Sequence, residues 1–404
     1  MKKTILLSTL SLALMGCLDS SMPTTEEIKK VKIDKRLTRS VVAEVNQSLV
    51  EMNVAVENQK ELDKQIGSML MVGFIGTEAP KGSQICQDIR NYHLGGVILF
   101  DVNPTNKRLA KNIKSKEQLA RLTKQLQACS DDHKLLIAVD QEGGKVQRLK
   151  SKYGFYGKFP KASVVKHLSE KQINAIYDKM GKELASVGIN YNLAPVVDLG
   201  INPKNYVIYK LGRSYGKNLD EVVKYSSIFV DAMRTNGVIS SLKHFPGHGS
   251  SLGDTHKGFV DVTRVWRKTE IEPYKALIDK KSVDTIMVAH VFHKKLDDLY
   301  PATLSKKIVD GLLRGELGYD GVTITDDLQM GAITKRYTLK QTLKLAINAG
   351  NDILLFGNQL SPQSMVTPKE LVESIKAMVQ NGEIDLSAIE KSNKRIEKLK
   401  QEYL

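Results

Sequence analysis

At 404 residues, with 41% hydrophobic residues and a formal net charge of +15, the chain has ample material for a large core and is no disordered tail. Its basic balance suits an anionic envelope, lipid or wall polymer. It does not mark a nucleic-acid binder, because no basic motif is interleaved with aromatic residues.

In chain order, Met1–Cys17 reads as a leader and not as part of the fold. Lys2 and Lys3 form a basic start, and Ile5–Met15 is an apolar run too short for a comfortable membrane span. It ends in Leu14-Met15-Gly16-Cys17, which resembles a bacterial lipobox. Cleavage before Cys17 and lipidation of its thiol would leave an exported protein held to a membrane without a transmembrane helix. An ordinary signal peptide with an incidental cysteine is the alternative. Residues 18–60 read as a tether, polar over Ser20–Thr25 and charge-rich over Glu26–Arg39. Within it Val41, Val42, Val45, Leu49, Met52 and Val56 recur near a helical period. A helix packed on the main domain and a semi-rigid spacer both fit that pattern. After Cys17 only Cys86 and Cys129 remain, and a disulfide and two buried thiols are both open.

From about Lys60 short apolar runs alternate with amphipathic helical stretches, the pattern of a β/α protein. The runs are Met69–Ile75, Gly96–Phe100, Leu135–Val139, Tyr191–Val197, Val238–Leu242, Thr285–Ala289, Val322–Thr325 and Asp352–Phe356. Eight is the number a TIM (β/α)8 barrel requires, so residues 61–404 are expected to form a single α/β catalytic domain. Several runs end in a polar residue: Asp101, Asp140, Asp198, Lys243-His244, His290 and Asp326. In such a barrel the strand C-termini open on one mouth, where these side chains would converge. Further on, Thr367-Pro368-Lys369-Glu370 has the form of a capping box and Asn381-Gly382 that of a stop, which predicts a helix between them.

The densest chemistry lies in Ser240–His256, S-S-L-K-H-F-P-G-H-G-S-S-L-G-D-T-H. The β-type run before it gives way at Lys243 and His244, where the strand is expected to end. Lys243, His244, His248, Asp254 and His256 then share one strand tip and its loop. Folding rarely needs such a cluster, since loop polar groups are solvated. A zinc site is the other reading of the histidines, but the spacing is no zincin pattern and no cysteine lies nearby. No motif implies a metal or an organic cofactor.

K-H-F-P-G-H-G followed by D-T-H resembles glycoside hydrolase family 3, and within it the NagZ-type β-N-acetylglucosaminidases. Four more segments match in order: D-Q-E-G-G-K-V-Q-R at Asp140–Arg148, G-R-S-Y-G at Gly212–Gly216, P-A-T-L-S at Pro301–Ser305 and T-D-D-L-Q-M at Thr325–Met330. The resemblance runs from about Lys64 to the C-terminus and independently implies a TIM barrel. It departs from the family over Asn205–Leu211, where the connection into G-R-S is longer, and at Lys145, where arginine is common.

The resemblance implies a retaining hydrolysis, in which a carboxylate attacks the anomeric carbon while an acid protonates the leaving oxygen. Asp326 matches the nucleophile, and the adjacent Asp327 reads as a helix N-cap in a supporting role. His256 matches the proton donor, with Asp254 fixing its tautomer and stabilising the imidazolium. Asp140, Arg148, Arg213, Lys243 and His244 match residues that bind the sugar. A carboxylate among cations holds hydroxyls through aimed, charge-assisted bonds. The expected substrate is a saccharide ending in N-acetylglucosamine, derived from peptidoglycan or of chitin type. A β-glucosidase, a phosphorylase of the same family, and a silent wall-glycan-binding lipoprotein are the alternatives. Intact Asp254, His256 and Asp326 weigh against the last of these.

Overall fold

Each of the eight runs contributes a strand in the computed structural model, which describes residues 39–131 and 133–404. The leader, Cys17 included, and the first part of the tether lie outside the described residues. The chain divides between Gln59 and Lys60 into two compact units. What is described of the first is helical, from Arg39 onward in a helix that ends at Ser68. No described helix is long and apolar enough to cross a membrane.

The second unit is built on β1 (Leu70–Gly73), β2 (Gly96–Ile98), β3 (Leu136–Val139), β4 (Tyr191–Asn192), β5 (Ile239–Phe245), β6 (Thr285–Val288), β7 (Val322–Thr325) and β8 (Leu354–Phe356). Neighbours in sequence are neighbours in the sheet, and all pairs are parallel. Register runs Met71↔Gly96, Gly96↔Leu136, Ala138↔Tyr191, Tyr191↔Ile239, Ser241↔Thr285 and Thr285↔Val322. β1 also pairs with β8, and an Ile324↔Ile353 bridge joins β7 to β8, so the sheet closes into the expected barrel. Strands buried on both faces read as unbroken apolar runs, which is how β1 and β3 are legible without alternation.

Helices follow the strands, and several begin on side-chain caps. Ser115, Asn218 and Asp385 each accept from a first-turn N–H. Ser169 and Thr338 form capping boxes with Gln172 and Gln341. The predicted Thr367–Glu370 box opens the helix Pro368–Gln380, which stops at Asn381 and Gly382. Cys86 and Cys129 are buried and bonded to each other, with Cα atoms 5.1 Å apart. They link the helices Gln84–Tyr92 and Lys116–Cys129.

β5 differs from expectation. It does not stop at Lys243 but runs on through His244 to Phe245, with a register shift between Leu242 and Phe245. Ionisable residues in a buried strand are stable only when paired, and the mouth supplies the partners.

Candidate active site

Parallel strands in a closed barrel deliver their C-terminal ends to one face, and several of them here are followed by polar residues. Asp140 follows β3, and its carboxylate takes Arg148 Nη2 at 3.0 Å and Lys243 Nζ at 3.1 Å. Two residues later Glu142 receives Arg213 on both oxygens, at 2.8 and 2.7 Å, and Lys243 Nζ at 2.7 Å. Two carboxylates thus face three cations, with the Lys243 side chain only 3% exposed. Burial pushes both carboxyls up, but the cations outweigh it. Lys243 and Arg148 hold Asp140 well below the usual range, and Arg213 with Lys243 brings Glu142 down to about 2. Burial also works against the Lys243 ammonium, and Glu142 and Asp140 more than offset it, leaving its pKa raised.

Arg213 extends the network to the histidines. Its Nη2 lies 3.3 Å from His244 Nε2, while His244 Nδ1 donates to Asp198 Oδ2 at 2.7 Å. Asp198 Oδ1 accepts from the backbone N–H groups of His244 and His248. Burial and the neighbouring His244 push His248 down to about 4, which keeps it a neutral ring beside Ser251 Oγ at 2.6 Å.

Asp326 sits at the tip of β7, its N–H donating to Val288 O of β6. Burial raises its carboxyl, and His290, His244 and His256 overcome this and hold it below its ordinary value. Its Oδ1 accepts the Asp327 N–H at 2.9 Å. Asp327 corrects the expectation of a helix cap, because the next helical turn starts at Gly331 and is capped by Met330. Its Oδ1 instead accepts from the N–H groups of Gln329 at 3.0 Å and Gly357 at 3.2 Å, which ties β7 to β8. His290 Nε2 donates to the Asp327 carbonyl at 2.9 Å.

Asp254 and His256 stand on the loop after β5. His256 Nδ1 and the His256 N–H both meet Asp254 Oδ1, at 2.9 and 3.0 Å. The imidazole is 58% exposed. Among the described residues it makes no hydrogen bond to the buried network and reaches Asp326 only through its charge. The loop is docked by Gly331 N–H to His256 O, Ala332 N–H to Thr255 O and Lys335 Nζ to Lys257 O.

The structure therefore joins Asp140, Arg148, Arg213, Lys243 and His244 in one network through Glu142 and leaves Asp254–His256 as a separate pair. Sequence reading missed Glu142, which between Gln141 and Gly143 looks like a solvated turn residue. The available signal was its position in D-Q-E-G-G, two residues beyond a strand-end aspartate.

Residues 61–399 match the family described as Glycosyl hydrolase family 3 N terminal domain. The chain is 32% identical over 338 residues to Beta-hexosaminidase A of Pseudoalteromonas piscicida, covering 78% of this chain and 55% of that protein. To Beta-hexosaminidase LpqI of Mycobacterium tuberculosis it is 31% identical over 327 residues, 77% of each. A glycoside hydrolase family 3 β-N-acetylglucosaminidase from Paenibacillus sp. superposes with a TM-score of 0.75 at 34% identity, over 84% of this chain and 62% of that one. The chain thus spans little more than half the length of some of the relatives it resembles. A single domain match over nearly the whole barrel, together with a relative of similar length, means that the chain belongs to glycosyl hydrolase family 3.

Proposed function

We propose that this protein is a retaining exo-β-N-acetylglucosaminidase acting on peptidoglycan-derived or chitin-type saccharides. The observation that carries the reading is Asp326, a carboxylate at the tip of β7 held below its ordinary value by His290, His244 and His256. In the first step an Asp326 oxygen attacks C1 as the C1–O bond to the leaving group breaks, and His256 gives its proton to the departing leaving-group oxygen. In the second, His256 takes a proton from water as the water oxygen displaces Asp326 from C1. Asp254 orients the imidazole in both steps. Asp140, Arg148, Arg213, Lys243 and His244 hold the terminal sugar, with Glu142 keeping Lys243 and Arg213 charged and in place. The N-acetyl preference is supported by the names of the relatives.

The test compares release from aryl N-acetylglucosaminide, glucoside and xyloside, with Asp326→Ala as control. Fastest turnover of the N-acetylglucosaminide, abolished in Asp326→Ala, is expected. Faster cleavage of the glucoside, or an active Asp326→Ala, would refute the reading.

The same proposal places the protein outside the cytoplasm, anchored through lipidated Cys17. A disulfide between two buried cysteines supports an oxidising compartment. Cys17→Ser should abolish incorporation of a fatty-acid analogue in the native bacterium, and equal labelling of both forms would sink the anchor.

A further inference from the structure

Among the described residues, Lys111 is a buried cation that the mechanism leaves without a task. Lys111 is fully withdrawn from water, on the loop after β2, its N–H donating to Asp101 O at 3.3 Å. Its Nζ donates to Gly357 O at 2.8 Å and to Asn358 O at 2.7 Å, with the Phe100 ring centre 4.5 Å away. Those two carbonyls belong to the turn that leaves β8. The N–H groups of the same two residues point elsewhere: Gly357 N–H donates to Asp327 Oδ1 at 3.2 Å, and Asn358 N–H to Gln329 Oε1 at 2.6 Å. The approach is close enough that a Cβ at Gly357 would lie 2.5 Å from Asp327 Oδ2. The β8 turn is thus gripped through its carbonyls by Lys111 and through its N–H groups by the segment that carries Asp326. Asp326 is in turn hydrogen-bonded by the Asp327 N–H.

We propose that Lys111 is a positioning residue, whose ammonium clamps the β8 turn against the Asp326–Asp327 segment and so aims Asp326 at the anomeric carbon. The inference rests on Asp326 being the nucleophile. The charged groups facing Lys111 are Asp327 from the end of β7 and Arg148 from the loop after β3. The Asp101 carboxylate on its own loop is held by Lys150 at 2.5 Å. Burial pushes the Lys111 ammonium down to about 7, with Asp327 pulling it back up and Arg148 adding to the fall. Its charge is therefore lost as pH rises through about 7. The clamp weakens as pH rises, because a neutral amine makes weaker hydrogen bonds to carbonyls than an ammonium does.

The experiment measures kcat and KM for an activated aryl N-acetylglucosaminide from roughly pH 5 to 9 in wild type, Lys111→Met and Lys111→Arg. An aryl leaving group departs without help from His256, so the alkaline fall of kcat/KM reports the clamp and not the proton donor. Lys111→Met should lose about 10²-fold in kcat, the scale of an ångström-level misplacement, with KM within about threefold. Lys111→Arg, charged at every pH in the range, should recover most of kcat and move the alkaline fall upward. An unchanged kcat in Lys111→Met, or an alkaline fall that stays in place in Lys111→Arg, overturns the proposal. If Lys111→Met does not fold, the Lys111→Arg profile decides alone. A wild type that cleaves no glycoside refutes the functional reading itself, which is a different outcome from an active enzyme indifferent to Lys111.

Discussion

Glu142 and Lys243 are both ionised and both nearly dry, with side chains 6% and 3% exposed. Removing one partner of a buried pair leaves the other charge uncompensated, which costs about 3–5 kcal/mol. Glu142→Gln should therefore destabilise the fold by that order and raise KM, since Lys243 and Arg213 lose the group that holds them. The sign of the pH dependence follows from the depressed carboxyl. Its contribution is complete above the ordinary glutamate value of 4.5 and is lost as pH falls through about 2. Urea denaturation of both proteins should show a gap at neutral pH that closes toward pH 2, and a gap independent of pH would contradict the assignment. At this scale the sequence revealed residues whose type is unusual for their place. A D-T-H on a loop and an aspartate at a strand end stand out because folding does not need them there. Glu142 and Lys111 did not stand out, because a glutamate beside glycines and a lysine in a polar loop are ordinary until distant segments fold onto them.

At the scale of elements, strands such as β1 and β3 were legible because burial on both faces favours continuous apolar residues. The true end of β5 was not, since Lys243 and His244 look like loop until Asp140, Glu142 and Asp198 are brought to them. The turn Tyr206–Lys210 was also hidden. It is a π-helical turn, with Lys210 N–H donating to Asn205 O, and five-residue hydrogen-bonded turns carry no sequence period of their own. What the sequence did mark there was an irregular connection into G-R-S. Element packing also predicts how the His256 loop is held. A Cβ at Gly331 would lie 2.8 Å from His256 O and 3.1 Å from Lys257 C. Gly331→Ala should thus lift the loop and shift the proton donor while leaving Asp326 in place. Loss of kcat/KM should reach about 10²-fold on a disaccharide, whose alkoxide needs the proton, and stay within a few-fold on an activated aryl glycoside. Equal losses on the two substrates would mean that the loop does not position the acid.

For the barrel unit as a whole, closure leaves no sheet edge, and one covalent cross-link constrains the unfolded chain. Cys86 and Cys129 join the helices that follow β1 and β2, on the outside of the strands, 43 residues apart in sequence. A closed loop of that size removes chain entropy from the unfolded state worth about 4 kcal/mol. Spread over the unfolding entropy of a domain this large, the effect on Tm is about 5 °C. The Cys86→Ala, Cys129→Ala double variant should therefore melt about 5 °C lower than the oxidised protein. Its kcat at 25 °C should be unchanged, because neither cysteine touches a strand tip or the loops that carry Asp326, Lys243 and His256. Reduction of the wild type should reproduce the variant's Tm and have no effect on the variant itself. Calorimetry on the oxidised, reduced and doubly substituted forms, with turnover measured on each, separates the outcomes. An unchanged Tm would show that the bond adds no net stability. A loss of kcat on reduction would couple the outer helices to the mouth, and the barrel could then no longer be treated as a rigid support for its site.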